Sequence, residues 1–255
     1  MSAISRKRIL TMVKNRSDTG LSKIAKGLLM IPVDPVDLTN PAPFDALSYY
    51  AHIVIGALGL IAAIVALTAK KGSMFHILAG RIFAAGILVV AITSLILLSV
   101  RMAPPLLVAA LTSVYAVGTA ILALKPASTK IKVTEYGFFI FEIIVVAIFL
   151  AMAVPQIIAG SIPPIGPLVI LTIPIILLVG DIHFFRNAHV RSALRIRRHL
   201  ARMIWAFVIA VRAPLAEIYS QLEIPVALIL FGPLLVAPIM IIIFLRKYPK
   251  MTKSI

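Results

Sequence analysis

The chain has 255 residues, 61% of them hydrophobic, and carries a formal net charge of +16 on a mean hydropathy of +1.08. That composition excludes an ordinary soluble domain and makes the bilayer the solvent to reason in. Zero cysteines exclude a disulfide framework, thiolate metal ligands, an iron–sulfur cluster and a cysteine nucleophile, and no soluble basic face with base-stacking or groove-reading side chains supports a nucleic-acid partner.

Residues 1–46 read as a basic, partly amphipathic tail. Its start, MSAISRKRILTMVKNRS, carries Arg6, Lys7, Arg8, Lys14 and Arg16 with no acid before Asp18. That pattern suits a segment lying on anionic lipid headgroups, and also an organelle transit segment. Stretches long and apolar enough to cross ~30 Å of hydrocarbon follow at 47–69, 75–100, 104–124, 136–158, 165–185, 200–221 and 224–246. They predict an all-α integral membrane bundle of about seven transmembrane helices. Pro104-Pro105 and Pro163-Pro164 break the apolar runs and close tight helical hairpins. Residues 247–255 form a basic C-terminal tail.

With that topology Lys70, Lys71, Lys125, Lys130, Lys132, Arg186, Arg191, Arg195, Arg197, Arg198, Arg246, Lys247, Lys250 and Lys253 share one face, and Arg101 lies on the other. The positive-inside rule then puts the C terminus in the cytoplasm; the expected location is a bacterial or archaeal plasma membrane, with an organelle inner membrane as the alternative. The tail's first-half cations run against this, because they would have to be translocated.

Ionisable groups inside the spans are costly and face a partner, a cavity or a cofactor. In chain order these are Arg81, Glu142, Asp181 and Arg212. Arg81 and Glu142 both lie ~10 Å from the cytoplasmic face, counting ~1.5 Å per residue. A buried Arg81–Glu142 ion pair is therefore geometrically possible, with Asp181 as a competing partner; structural pairing and an ion pathway are both open. Arg212 lies deeper in its span, with Pro214 just beyond it, and Glu217 points about 140° away. A group on another helix, a bound anion or the outer interface should receive it. The run FFRNAHVRSALRIRRHLARM reads as an interfacial helix whose arginines anchor to lipid headgroups.

The histidines divide by depth. His52 sits near the outer end of the first span; His76, His183, His189 and His199 sit at or near cytoplasmic helix ends. Two neutral imidazoles on neighbouring helices are what a low-spin haem iron needs axially, and the macrocycle needs small residues beside it. His76 has Gly80, His52 has Gly56 and Gly59, and His199 has Met203, Ala206 and Ala210 along its own face. Close helix packing without a cofactor uses the same pattern. His183, His189, His199 and Asp181 show no zinc spacing, and no phosphate loop, HExxH or nucleophile elbow is present.

Residues 51–96, AHIVIGALGLIAAIVALTAKKGSMFHILAGRIFAAGILVVAITSLI, resemble the first helical hairpin of a family of predicted bacterial multi-pass membrane proteins known as a domain of unknown function. The shared features are His52, Gly56, Gly59, His76, Gly80 and Arg81. A later element of that family is similar to His199, Met203 and Arg212, although the arginine's spacing departs from the pattern. The resemblance covers about half the chain, in spans one, two and six, and implies a helical membrane protein of unsettled function, for which the histidines recurring at helix ends suggest haem.

Three functions remain open. One is an electron-transfer module with b-type haem on His76 and His199, His52 and His183 as further candidates, Arg81 and Arg212 near the propionates, and quinone or another membrane subunit as partner. Another is a small transporter or ion pathway along Arg81, Glu142, Asp181 and Arg212, gated by proline-broken helices five to seven. The last is a non-catalytic membrane subunit or scaffold. No side-chain catalytic motif marks it as an enzyme.

Overall fold

A computed structural model describes residues 46–100, 103–218 and 225–247. The basic N-terminal tail up to residue 45, Arg101 and the C-terminal tail from residue 248 lie outside the described residues, and so do the expectations placed on them. The described chain runs α1 (Ala46–Thr68), α2 (Met74–Val100), α3 (Pro104–Leu124), α4 (Thr129–Ile158), α5 (Ile165–Arg186), a 3-10 turn (Ala188–Val190), α6 (Arg191–Ile218) and α7 (Val226–Lys247). Every helix but α6 is long and apolar enough to cross a membrane. Ile53, Leu58 and Ile61 on α1, Ile140 and Ile144 on α4, and Ile239 and Ile243 on α7 are exposed on the outside of the bundle. Such a surface is stable only against lipid, and the protein is a multi-pass membrane protein.

Two helices start earlier than hydropathy alone predicts. Helix α4 begins at Thr129 rather than residue 136, because Ser128 Oγ accepts the Ile131 N–H at 3.3 Å and caps the first turn. Helix α6 begins at Arg191 rather than residue 200, because its first turns are amphipathic, not apolar. The prolines Pro174, Pro214, Pro233 and Pro238 lie inside helices α5 to α7, which continue through them. The expectation of broken helices is thereby corrected: neighbouring helices hold the freed backbone in line.

Helix α3 is the centre of the bundle and packs against α2, α4, α5 and α6. Tyr115, Ala116, Ala120 and Ala123 on it are wholly enclosed. Helix α6 lies along α3 and α7 and buries Ile204, Trp205, Ala206 and Ile209. The hairpin α1–α2 closes at Gly59 and Gly86, where a Cβ on Gly86 would stand 3.4 Å from the Gly59 Cα, so small residues let the two backbones approach. Its turn uses Gly72 at φ +81°, a conformation costly for any residue with a Cβ. Lys71 Nζ donates to the Ala66 and Leu67 carbonyls at 2.8 and 2.7 Å, satisfying two orphan groups at the α1 C terminus. The same ammonium lies 4.7 Å from the Phe244 ring, which brings this turn beside the end of α7. We refer to this end of the bundle as the basic end.

Candidate functional site

The side chains that α3, α4, α5 and α6 turn toward one another are polar at the basic end. On α6, Arg191, Arg198 and Arg202 stand at i, i+7 and i+11 and so share a face. On α4, Glu135 and Glu142 stand seven apart with Phe149 on the same stripe, and all three are buried. Asp181 points inward from α5 and Thr112, Tyr115 and Thr119 from α3.

These groups form one connected network. Arg191 makes a fork with Glu135, Nη1 to Oε2 at 2.6 Å and Nη2 to Oε1 at 3.0 Å. Arg198 bridges the two acids, donating from Nη1 to Glu135 Oε1 at 2.5 Å and from Nη2 and Nε to Asp181 Oδ1 at 2.6 and 3.1 Å. Arg202 Nη2 donates to the same Asp181 oxygen and to the Leu177 carbonyl at 2.9 Å, and Nη1 donates to Thr119 Oγ1 at 2.6 Å. Tyr115 Oη donates to Asp181 Oδ2 at 2.5 Å. The Phe184 ring lies 4.0 Å from the Arg198 guanidinium carbon, and the Tyr115 ring 4.9 Å from that of Arg202, so aromatic faces complete the cationic surroundings. Taking such ions out of water costs several kcal/mol each, which only multiple, well-aligned hydrogen bonds offset.

Three guanidiniums thus meet two carboxylates in this network. Further from the basic end Glu142 is fully buried, accepts from Thr112 Oγ1 at 2.7 Å through Oε1, and leaves Oε2 without a partner among the described residues. Beyond it, between α3 and α4, lies a small cavity of about 40 Å³ lined by apolar side chains including Leu107, Leu111, Val145 and Phe149. From the Leu122 carbonyl, which Arg191 reaches at 3.5 Å, to Thr112 the polar stripe of α3 extends about 15 Å. It therefore reaches about half way through ~30 Å of hydrocarbon.

Only part of the expected site appears here. Asp181 and Glu142 belong to it. Arg81 does not pair with Glu142: its side chain is exposed on α2 and takes no hydrogen bond or ion pair among the described residues, because α4 turns Glu142 toward α3 instead. Arg212 is half-buried on α6 and has no polar partner among the described residues; the Glu217 side chain lies outside them. The interfacial reading of the α6 arginines fails for Arg198, which is buried, while Arg195 is exposed. Sequence reasoning missed Arg202, Glu135, Tyr115 and the threonines. The arginines at 191, 198 and 202 share one face of α6 and the acids at 135 and 142 one stripe of α4, and that helical spacing is the signal the sequence offers.

The histidines are dispersed. His52 Nδ1 lies 3.0 Å from Thr93 Oγ1, whose own hydrogen goes to a backbone carbonyl of α2, so the imidazole is the donor. At the basic end His76 Nδ1 donates to the Ala66 carbonyl at 2.9 Å and His199 Nδ1 to the Ala120 carbonyl at 3.0 Å. His199 also lies in the field of His76 and Lys71. His183 and His189 are exposed. Among the described residues no group of three or more His, Cys, Asp or Glu is placed to hold a metal ion. No family model matches the chain, and no curated protein or solved structure matches it either.

Proposed function

We propose that this membrane protein is an ion pathway built on the polar seam between α3, α4, α5 and α6. The observation that supports it is the buried run from Arg191 through Glu135, Arg198, Asp181 and Arg202, continued along α3 to Thr112 and Glu142. An ionisable group inside a bilayer is costly to keep, and such groups line ion and proton routes in membrane proteins. The apolar section around Leu107, Leu111, Val145 and Phe149 would form the constriction that limits the rate of passage. The basic end is assigned to the cytoplasm on its concentration of lysine and arginine, and exposed Lys130, Lys132 and Arg195 would meet anionic headgroups there. Purified protein in liposomes should dissipate an imposed membrane potential, followed with a potential-sensitive dye, and Glu142→Gln should slow it at least tenfold. Dissipation no faster than in protein-free liposomes would refute the pathway and favour a scaffold subunit.

A second reading is a b-type haem held by His76 and His199, with quinone or another membrane subunit as partner. One observation favours it: both imidazoles donate Nδ1–H to backbone carbonyls, which leaves Nε2 as the atom with a free lone pair, the arrangement metal-bound histidines use. Haem would supply one-electron transfer. Against it, Ala206 on the His199 face is already enclosed in the core formed with α3, so the small residue expected to flank a macrocycle serves helix packing. Purified protein from haem-supplemented cells should show sharp alpha and Soret bands in a reduced-minus-oxidised spectrum, lost in His76→Ala. A flat spectrum from folded protein removes this reading.

A further inference from the structure

One buried titratable group stands apart from the arginine network. Glu142 is wholly enclosed, yet its carboxyl takes a single hydrogen bond, from Thr112, and Oε2 meets no donor among the described residues. The other two buried acids differ sharply: Glu135 is bonded by Arg191 and Arg198, and Asp181 by Arg198, Arg202 and Tyr115.

Around Glu142, helix α3 presents Thr112 and, one turn on, Tyr115, whose hydroxyl is committed to Asp181. Its own helix α4 carries Glu135 on the same stripe toward the basic end. From α5 and α6 the fields of Asp181 and Arg202 reach it, but the terminal nitrogens of Arg202 bond Thr119, Leu177 and Asp181 rather than Glu142. Away from the basic end the α3–α4 seam is apolar, with Leu111 and Val145 beside the small cavity. An ionised carboxylate in this setting would face hydrocarbon with a bare anionic oxygen, a cost that the neutral acid avoids. As an acid, the group needs one acceptor for its proton, and the Thr112 hydroxyl, which can both donate and accept, stands within reach.

We propose that Glu142 is a proton-binding site, holding a proton at neutral pH beside Thr112 and releasing it at higher pH, and that the ion handled by the polar seam is this proton. The second clause rests on the pathway reading; the protonation of Glu142 does not. The excess of guanidinium over carboxylate in the seam disfavours a resident alkali cation, whereas a proton bound to Glu142 makes the site a neutral carboxylic acid.

The experiment is infrared spectroscopy of the full-length protein in lipid, comparing wild type, Glu142→Gln and Thr112→Val. The wild type should show the carbonyl stretch of a protonated carboxylic acid at neutral pH, shifting in deuterium oxide and disappearing reversibly on alkaline titration. Glu142→Gln should lack that band, and Thr112→Val should keep it at a shifted frequency. A Glu142→Gln spectrum that loses only carboxylate bands overturns the proposal. So does an acid band that is unmoved by Thr112→Val, or one that persists unchanged through alkaline titration. Protein with a titrating Glu142 that moves no charge in liposomes would refute the pathway and leave the proton site standing. A conducting protein whose Glu142 never titrates would refute the proton site alone.

Discussion

Asp181→Asn is the sharpest perturbation of the buried network. The substitution keeps the side chain's shape and removes its charge. Arg198 retains Glu135 at 2.5 Å, so it remains paired. Arg202 does not: its remaining partners, Thr119 Oγ1 at 2.6 Å and the Leu177 carbonyl at 2.9 Å, are neutral, and the side chain is only 3% exposed. An uncompensated buried guanidinium costs about 3–5 kcal/mol. At about 2–4 °C per kcal/mol for a chain of this size, the melting temperature should fall by about 6–20 °C. The protein has a single tryptophan, Trp205, buried on α6 within a turn of Arg202, so its fluorescence during heating in mild detergent reports on the helix concerned. The double variant Asp181→Asn with Arg202→Met should recover much of the loss, because it removes the orphaned charge along with its partner. A melting temperature for Asp181→Asn within about 2 °C of wild type, or a double variant that falls by the sum of the two singles, would refute the mutual dependence of these charges.

Glu135→Gln should destabilise less, by about 1–3 kcal/mol, because Arg198 keeps Asp181 and Arg191 is 12% exposed; the same Trp205 signal tests the order of the two variants. Gly118→Ala would set a Cβ 2.6 Å from Phe138 Cζ and should cost about 1–3 kcal/mol through overpacking; adding Phe138→Leu should return most of that loss in the same melting assay. The protein contains no cysteine, so single cysteines give clean topology probes. Met74→Cys at the exposed α1–α2 turn should react with an impermeant maleimide only after cell lysis, and Ser161→Cys at the opposite end should react in intact cells. The reverse pattern would invert the proposed orientation.

Hydropathy made the apolar helices legible because each answers to a single constraint, the thickness of hydrocarbon. The bounds 104–124 match α3 outright, and 165–185 differs from α5 by one residue. Hydropathy places the start of α4 late because it counts Lys130, Lys132 and Glu135 as breaks, whereas the helix turns the lysines outward and the glutamate inward. The same averaging hid the site. Depth alone made Arg81 and Glu142 suitable partners, but which face of a helix meets which neighbour depends on packing, and α2 turns Arg81 out of the bundle. Arg198 looked like one more headgroup anchor in a basic run. Only the placement of Phe184, Glu135 and Asp181 around it distinguishes it from exposed Arg195.

The placement of acids before arginines along the chain also bears on biogenesis. An arginine near the middle of an isolated helix disfavours insertion by about 2.5–3.5 kcal/mol, and α6 carries Arg202 and Arg212 away from its basic end. During synthesis, however, α4 and α5 emerge first, with Glu135 and Asp181 lacking counter-charges until α6 arrives. Each half is a poor membrane guest alone, and each supplies what the other lacks. Insertion of α6 should therefore be cooperative with the helices already in place, and a nascent chain cut short after α5 would present two unneutralised acids to the quality-control proteases of the membrane.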